Sequence, residues 1–142
     1  MMRKFELLPN VDLPKPARST KKAAGYDIRS NEDVIIQPGT KEVIGTGVTV
    51  ICNDDEFLDL RIRSGLAFKH NLTMQNDCGV IDADYYPKEI MVMIRNEGTK
   101  PFEIKKGDRI AQGIFLKYLI TDDDSETEKQ ERTDGLGHTG VK

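Results

Sequence analysis

The strongest constraint on the fold is a period of two. In "FLDLRIRSG", residues 57–65, Leu58, Leu60 and Ile62 alternate with Asp59, Arg61 and Arg63. Successive side chains of a strand point to opposite faces, so the run reads as a strand with one apolar and one charged face. Other runs of strand length surround it. "DVIIQPG" (33–39) ends in a Pro-Gly turn, and "KEVIGTGVTVI" (41–51) is β-branched with glycine interruptions. "EIMVMIRN" (89–96) is apolar on both faces, the pattern of a strand buried between sheets or against another subunit. "PFEIKKGDRIAQGIFLKYLI" (101–120) reads as strand, Lys-Gly-Asp turn and long strand. A single helical candidate of about two turns lies at "LAFKHNL" (66–72). Short strands punctuated by Gly, Pro and Asp predict an all-β chain: a sandwich, jelly roll or small barrel.

Length and composition narrow this further. A chain of 142 residues fits one domain, and periodicity is lost from "TDDDSE" onward. The expected organisation is an ordered domain over 1–120 and a linker with a terminal motif over 121–142. The apolar fraction is 37% and there is no tryptophan, a lean core that suggests burial between subunits. A net charge of −3 argues against a general nucleic-acid or membrane binder, so an anionic ligand must be held by a few placed basic groups. Cys52 and Cys78 have no metal-type spacing, and two scattered thiols fit a reducing compartment. The amino end lacks the apolar stretch of a signal peptide, and no run approaches transmembrane length; a cytoplasmic protein is expected.

Four segments inside the domain combine glycine with acidic, amide or basic residues. In "AAGYDIRS" (23–30), Asp27 beside a turn can hold a metal-bound water or pair with an arginine. In "RIRSGLA" (61–67), Arg63, Ser64 and Gly65 stand where a strand gives way to a helix. That junction is either an ordinary turn or a place where free N–H groups meet a phosphate. In "NDCGVIDADYY" (76–86), Asp82 and Asp84 are two apart, so an extended strand would put them on one face with Tyr86 while Tyr85 points opposite. Such a carboxylate binds metal, acts as a base, or is merely solvated. In "KKGDRIAQGIF" (105–115), Gln112 shares a face with Ile110 and Ile114, where an amide needs a partner.

With the tail "RTDGLGHTG" (132–140), these stretches resemble, in order, the five motifs of the trimeric deoxyuridine triphosphatase (dUTPase) family. The resemblance implies a jelly-roll homotrimer that splits dUTP into dUMP and pyrophosphate with Mg²⁺ in nucleotide-pool sanitation and dTMP precursor supply. It also implies active sites at subunit boundaries. Asp82 matches the base that activates the water attacking the α-phosphorus, and Asn76 matches the amide reading uracil. The hairpin backbone at Gly79, Val80 and Ile81 would supply the other base contacts. Tyr85 matches the aromatic against the deoxyribose that excludes a 2′-hydroxyl, and Met91 joins the substrate-binding set. Arg63, Ser64, Gly65 and Gln112 match phosphate-binding positions. The Mg²⁺ would be held mainly by phosphates and water, with Asp27 acting through that water. In the tail, Arg132 is expected on the γ-phosphate, with Leu136, Gly137, His138 and Thr139 closing over the nucleotide.

Two departures stand out. Ile62 replaces the proline that often precedes the second motif's arginine. Leu136 stands where the fifth motif usually carries phenylalanine over uracil, and base–aromatic stacking is worth ~1–3 kcal/mol per base. A dCTP deaminase would need a glutamate where Met93 stands, aligned through Asn96. A phage-type member that binds a regulatory protein partner is the rival from a different class, with "TDDDSETEKQ" as its candidate contact. A capsid-like jelly roll leaves the five motifs unexplained.

Overall fold

A computed structural model describes residues 2–132. Among the described residues, eleven strands and one α-helix follow in order. They are β1 (Lys4–Leu7), β2 (Tyr26–Arg29), β3 (Val34–Ile36), β4 (Lys41–Gly45), β5 (Val48–Ile51), β6 (Glu56–Ile62), α1 (Ser64–His70), β7 (Leu72–Met74), β8 (Gly79–Asp82), β9 (Met91–Asn96), β10 (Phe102–Ile104) and β11 (Arg109–Lys117). Short 3₁₀ turns occupy Ala83–Tyr85 and Asp124–Glu126. Every ladder is antiparallel. The strands pair as β2-β11-β6-β8, β4-β9-β7, β1-β5 and β10-β3. Neighbours are mostly distant in sequence, the crossover connectivity of a jelly-roll-like sandwich.

The core forms where the inner faces meet. Leu58, Leu60, Ile28 and Ala111 come from the four-stranded sheet; Ile44, Val92, Ile94, Leu72 and Met74 come from the three-stranded one. Alternation at 57–65 therefore yields the expected buried face. Its polar face is less simple, because Asp59 is only 4% exposed. Asp59 sits mid-sheet between Val80 and Ile114, and Arg61 Nε caps its carboxylate at 2.8 Å. In strand β9, Val92, Ile94 and Asn96 are buried while Met91, Met93 and Arg95 are half-buried in the single chain. Its inner polar residue is satisfied, since Asn96 Nδ2 donates to Ile36 O at 2.9 Å and Lys100 O at 2.8 Å.

Two boundaries move for local reasons. The run 41–51 breaks at Thr46–Gly47, where Gly47 has φ 70°, so that β4 joins β9 and β5 joins β1. Helix α1 starts two residues before the expected 66, because Arg63 O already accepts from Leu66 N and Ala67 N. It stops at Asn71, which takes the left-handed conformation (φ 54°) that ends helices and that asparagine tolerates. No helix among the described residues is long and apolar enough to cross a membrane.

Candidate active site

The outer face of the four-stranded sheet carries the polar residues singled out above. Paired residues of neighbouring strands share a face, so three rows can be read across it. One row is Asp82, Phe57 and Leu116; the next is Val80, Asp59 and Ile114; the last is Arg61, Gln112 and Asp27. Asp82 thus lies near one corner and Gln112 with Asp27 at the other. Four residues along β6 and two strands across place Asp82 and Gln112 on the order of 16 Å apart, with Asp27 one strand farther. The face holds two clusters rather than one.

The first cluster is built from arginines around Asp27. Its carboxylate lies 3.4 Å from Arg63 Nε and 3.5 Å from Arg109 Nη1, so of the two expected roles it is the arginine partner that is visible. Arg29 Nη1 donates to Gly107 O at 2.7 Å. These three guanidiniums line a cavity of about 290 Å³ with Leu66, Phe102 and Gly107, a basic recess suited to an anion. Arg63 is the N-cap of α1 and no side chain caps that end. Ser64 and Gly65 are exposed in its first turn, and nothing lies within 4 Å of a Cβ built on Gly65, so a ligand can approach its backbone. Gln112 lies against Gly25, where a Cβ would stand 2.4 Å from its Oε1. A bulge between Arg109 and Ala111 buries Ile110 and Ala111 in succession, so Gln112 faces outward with Ile114 and not with Ile110. Sequence reasoning passes over Arg29 and Arg109. Their signal is the pairing of the two strand ends, Arg109 with Arg29, which only the register reveals.

The second cluster surrounds the end of β8. The strand stops at Asp82 and Ala83–Tyr85 forms a 3₁₀ turn, so the two aspartates and Tyr86 do not lie along one extended face. Tyr85 is turned inward, 9% exposed, and its hydroxyl donates to Glu89 O at 2.7 Å. Arg132 reaches back to this corner. Its Nε donates to Asp84 Oδ1 at 2.7 Å and its Nη2 to Asp82 Oδ2. The Asp84 carboxylate, as the larger cause, raises the pKa of Arg132 from its ordinary value. A cavity of about 360 Å³ opens beside the fork, lined by Asp54, Asp82, Ala83, Asp84, Tyr118 and Arg132.

Asn76 is exposed in the turn before β8, with Nδ2 3.8 Å from where a Cβ on Gly79 would stand. That turn is not a hairpin, as expected, but a crossover, because β7 pairs with β9 while β8 pairs with β6. Gly79 is buried against Leu60, Val80 is exposed and Ile81 half-buried; Met91 is half-buried at the start of β9. Leu136, Gly137, His138 and Thr139 lie outside the described residues.

Among the described residues no three His, Cys, Asp or Glu side chains group as a metal cage. Asp27, the expected outer contact of a metal, is engaged by two arginines. Its carboxylate is the kind of oxygen donor that can accept from a water on a hydrated divalent cation.

A jelly-roll protein with a carboxylate corner and a separate arginine recess on one sheet face is laid out for work on a polyanionic substrate. The dUTPase family model matches residues 11–140. The chain is 42% identical over 128 residues to the deoxyuridine 5'-triphosphate nucleotidohydrolase of Nautilia profundicola, covering 88% of this chain and 89% of the relative. It is 37% identical to the Lactococcus lactis enzyme of the same name, with 99% of each chain covered. Its fold is similar to the crystal structure of dUTPase from Streptococcus mutans, with a TM-score of 0.77, 33% identity, and 83% of this chain and 98% of that one covered. Staphylococcus bacteriophage 80alpha dUTPase is also similar, with a TM-score of 0.77, 25% identity and coverage of 94% and 99%. The chain belongs to the dUTPase family, whose members are deoxyuridine triphosphate nucleotidohydrolases.

Proposed function

We propose that the protein hydrolyses dUTP to dUMP and pyrophosphate at sites shared between the chains of a homotrimer. The observation that carries this reading is the separation of the two clusters in a family member. A general base must reach its proton within ~2.6–3.2 Å or through one water, and Asp82 is far from the cluster of Arg63 and Gln112 suited to hold phosphate. A second copy brings its arginine recess to the Asp82 corner of the first.

In that shared site, Asp82 takes a proton from the water that attacks the α-phosphorus. The bond from phosphorus to the bridging oxygen breaks, and pyrophosphate leaves with the electron pair. Arg63, Gln112 and the backbone at Ser64 and Gly65 hold the triphosphate, and charge complementarity lowers the barrier. Asn76 and the backbone of Gly79, Val80 and Ile81 read the uracil edge, while Tyr85 and Met91 shape the sugar and base pocket. Arg132 meets the γ-phosphate, with Leu136, Gly137, His138 and Thr139 over the nucleotide. Asp27 would accept a hydrogen bond from the water of a Mg²⁺ that came with the substrate, and that ion would supply charge neutralisation at the phosphates. The setting is the cytoplasm, and the product serves dTMP synthesis. Phage 80alpha dUTPase belongs to a group of phage dUTPases that control transfer of virulence genes by a G protein-like mechanism, so a regulatory protein partner is the second reading if the chain derives from phage.

Pyrophosphate release measured with dUTP, dCTP, TTP and UTP tests the assignment. Only dUTP should turn over well, and Asp82→Asn should lower kcat by ~10²–10⁴-fold with the melting temperature unchanged. Ammonia released from dCTP, or full activity in Asp82→Asn, would contradict it.

A further inference from the structure

Tyr86 has no part in the chemistry above, yet it is fastened to the opposite end of the chain. Its hydroxyl donates to Glu6 Oε1 at 2.8 Å, across 80 residues of sequence. That hydrogen bond, ahead of Lys4, holds the Glu6 carboxyl below its ordinary value, so the acceptor is a carboxylate and the bond is charge-assisted. Glu6 stands on a firm post. It lies opposite Thr49 in the β1-β5 ladder, and its neighbour Phe5 is buried with ring centroids 5.4 Å from Tyr26 and 5.5 Å from Phe115. Strand β5 and the turn before it also hold the far end of the segment after β8. Ile90 N donates to Val48 O at 2.8 Å, and Gly47 N to Glu89 Oε2 at 2.7 Å. Between these ties, Lys88 N donates to Tyr85 O at 3.0 Å, closing a turn with Tyr86 at its first corner. Tyr85 turns inward to Glu89 O, and Tyr86 turns outward to Glu6. We propose that Tyr86, through Glu6, is a positioning residue that stiffens the Tyr85 wall of the sugar pocket and so sets how strictly a 2′-hydroxyl is refused.

This rests on the reading of Tyr85 as the aromatic against the deoxyribose. Steric refusal depends on the stiffness of a wall as well as on its place. A wall that yields admits the larger substrate and costs the smaller one little. Discrimination is a difference between two transition-state affinities, so loosening shows in the ribonucleotide alone. A general loss of packing would instead lower both substrates together.

The test compares pyrophosphate release from dUTP and UTP by wild type, Tyr86→Phe, Glu6→Ala and Glu6→Gln. Tyr86→Phe removes one hydroxyl from a residue that is 40% exposed. It should raise kcat/KM for UTP about threefold to tenfold, while that for dUTP stays within about twofold of wild type. Glu6→Ala should do the same, and the double variant no more than either, because both remove one bond. Glu6→Gln keeps an oxygen for the phenol to donate to and should retain most of the discrimination. An unchanged ratio of UTP to dUTP in Tyr86→Phe, equal falls for both substrates, or effects that multiply in the double variant overturn the proposal. Tyr85→Ala separates the underlying reading. If it keeps the wild-type ratio, Tyr85 is not the sugar wall; a relaxed Tyr85→Ala beside a strict Tyr86→Phe sinks only the role given to Tyr86.

Discussion

At the scale of single residues, the informative positions are polar groups placed where a strand would rather be apolar. Asp27, Asp82 and Gln112 could be picked from the sequence for that reason, and all three lie on the outer face of one sheet. Arg109 and Asp84 could not, because what distinguishes them is a partner brought from far along the chain: Asp27 is 82 residues from Arg109, and Asp84 is 48 from Arg132. Gly25 belongs to the same class. A Cβ there would stand 2.4 Å from Gln112 Oε1 and 3.0 Å from its Cβ. The far end of Gln112 can move, so Gly25→Ala should displace the amide rather than unfold the sheet. Steady-state kinetics should show KM for dUTP raised several-fold, with thermal unfolding shifted little. A Gly25→Ala protein with unaltered KM would remove Gln112 from the phosphate site.

At the scale of elements, period-two patterning located the strands because each buries one face, and a register slip would expose it. It failed where the chain leaves that geometry. The turn at Ala83–Tyr85 follows a strand-like sequence but folds as 3₁₀, with Tyr85 drawn inward to Glu89 O. Buried charge is the other blind spot. Glu56 at the start of β6 is 3% exposed, and Arg3 grips both its oxygens at 2.9 and 2.8 Å. That pairing, ahead of its other causes, holds the Glu56 carboxyl below its ordinary value of 4.5. A carboxyl depressed on folding contributes stability that is complete above its unfolded pKa and is lost as pH falls through the folded one. Glu56→Gln should therefore flatten the fall in stability below pH 4.5. Urea midpoints measured across that range check it, and parallel curves for both proteins would contradict it.

At the scale of the molecule, a lean composition and a doubly apolar strand hinted at burial between subunits, but no periodicity could say which surfaces meet. Val80 is 59% exposed and Leu116 43% exposed on the face that carries the two clusters, and Leu119 beyond β11 is 97% exposed. The proposed reaction needs both the carboxylate corner and the arginine recess of that face. Complementation tests the shared site most directly. Asp82→Asn and Arg63→Ala, each inactive alone, are unfolded together, refolded in equal amounts and assayed for pyrophosphate release from dUTP. If the corner of one chain meets the recess of another, random assembly leaves about a quarter of the sites with both halves intact, and that share of wild-type activity returns. If each chain carries a whole site, the mixture stays as inactive as its components.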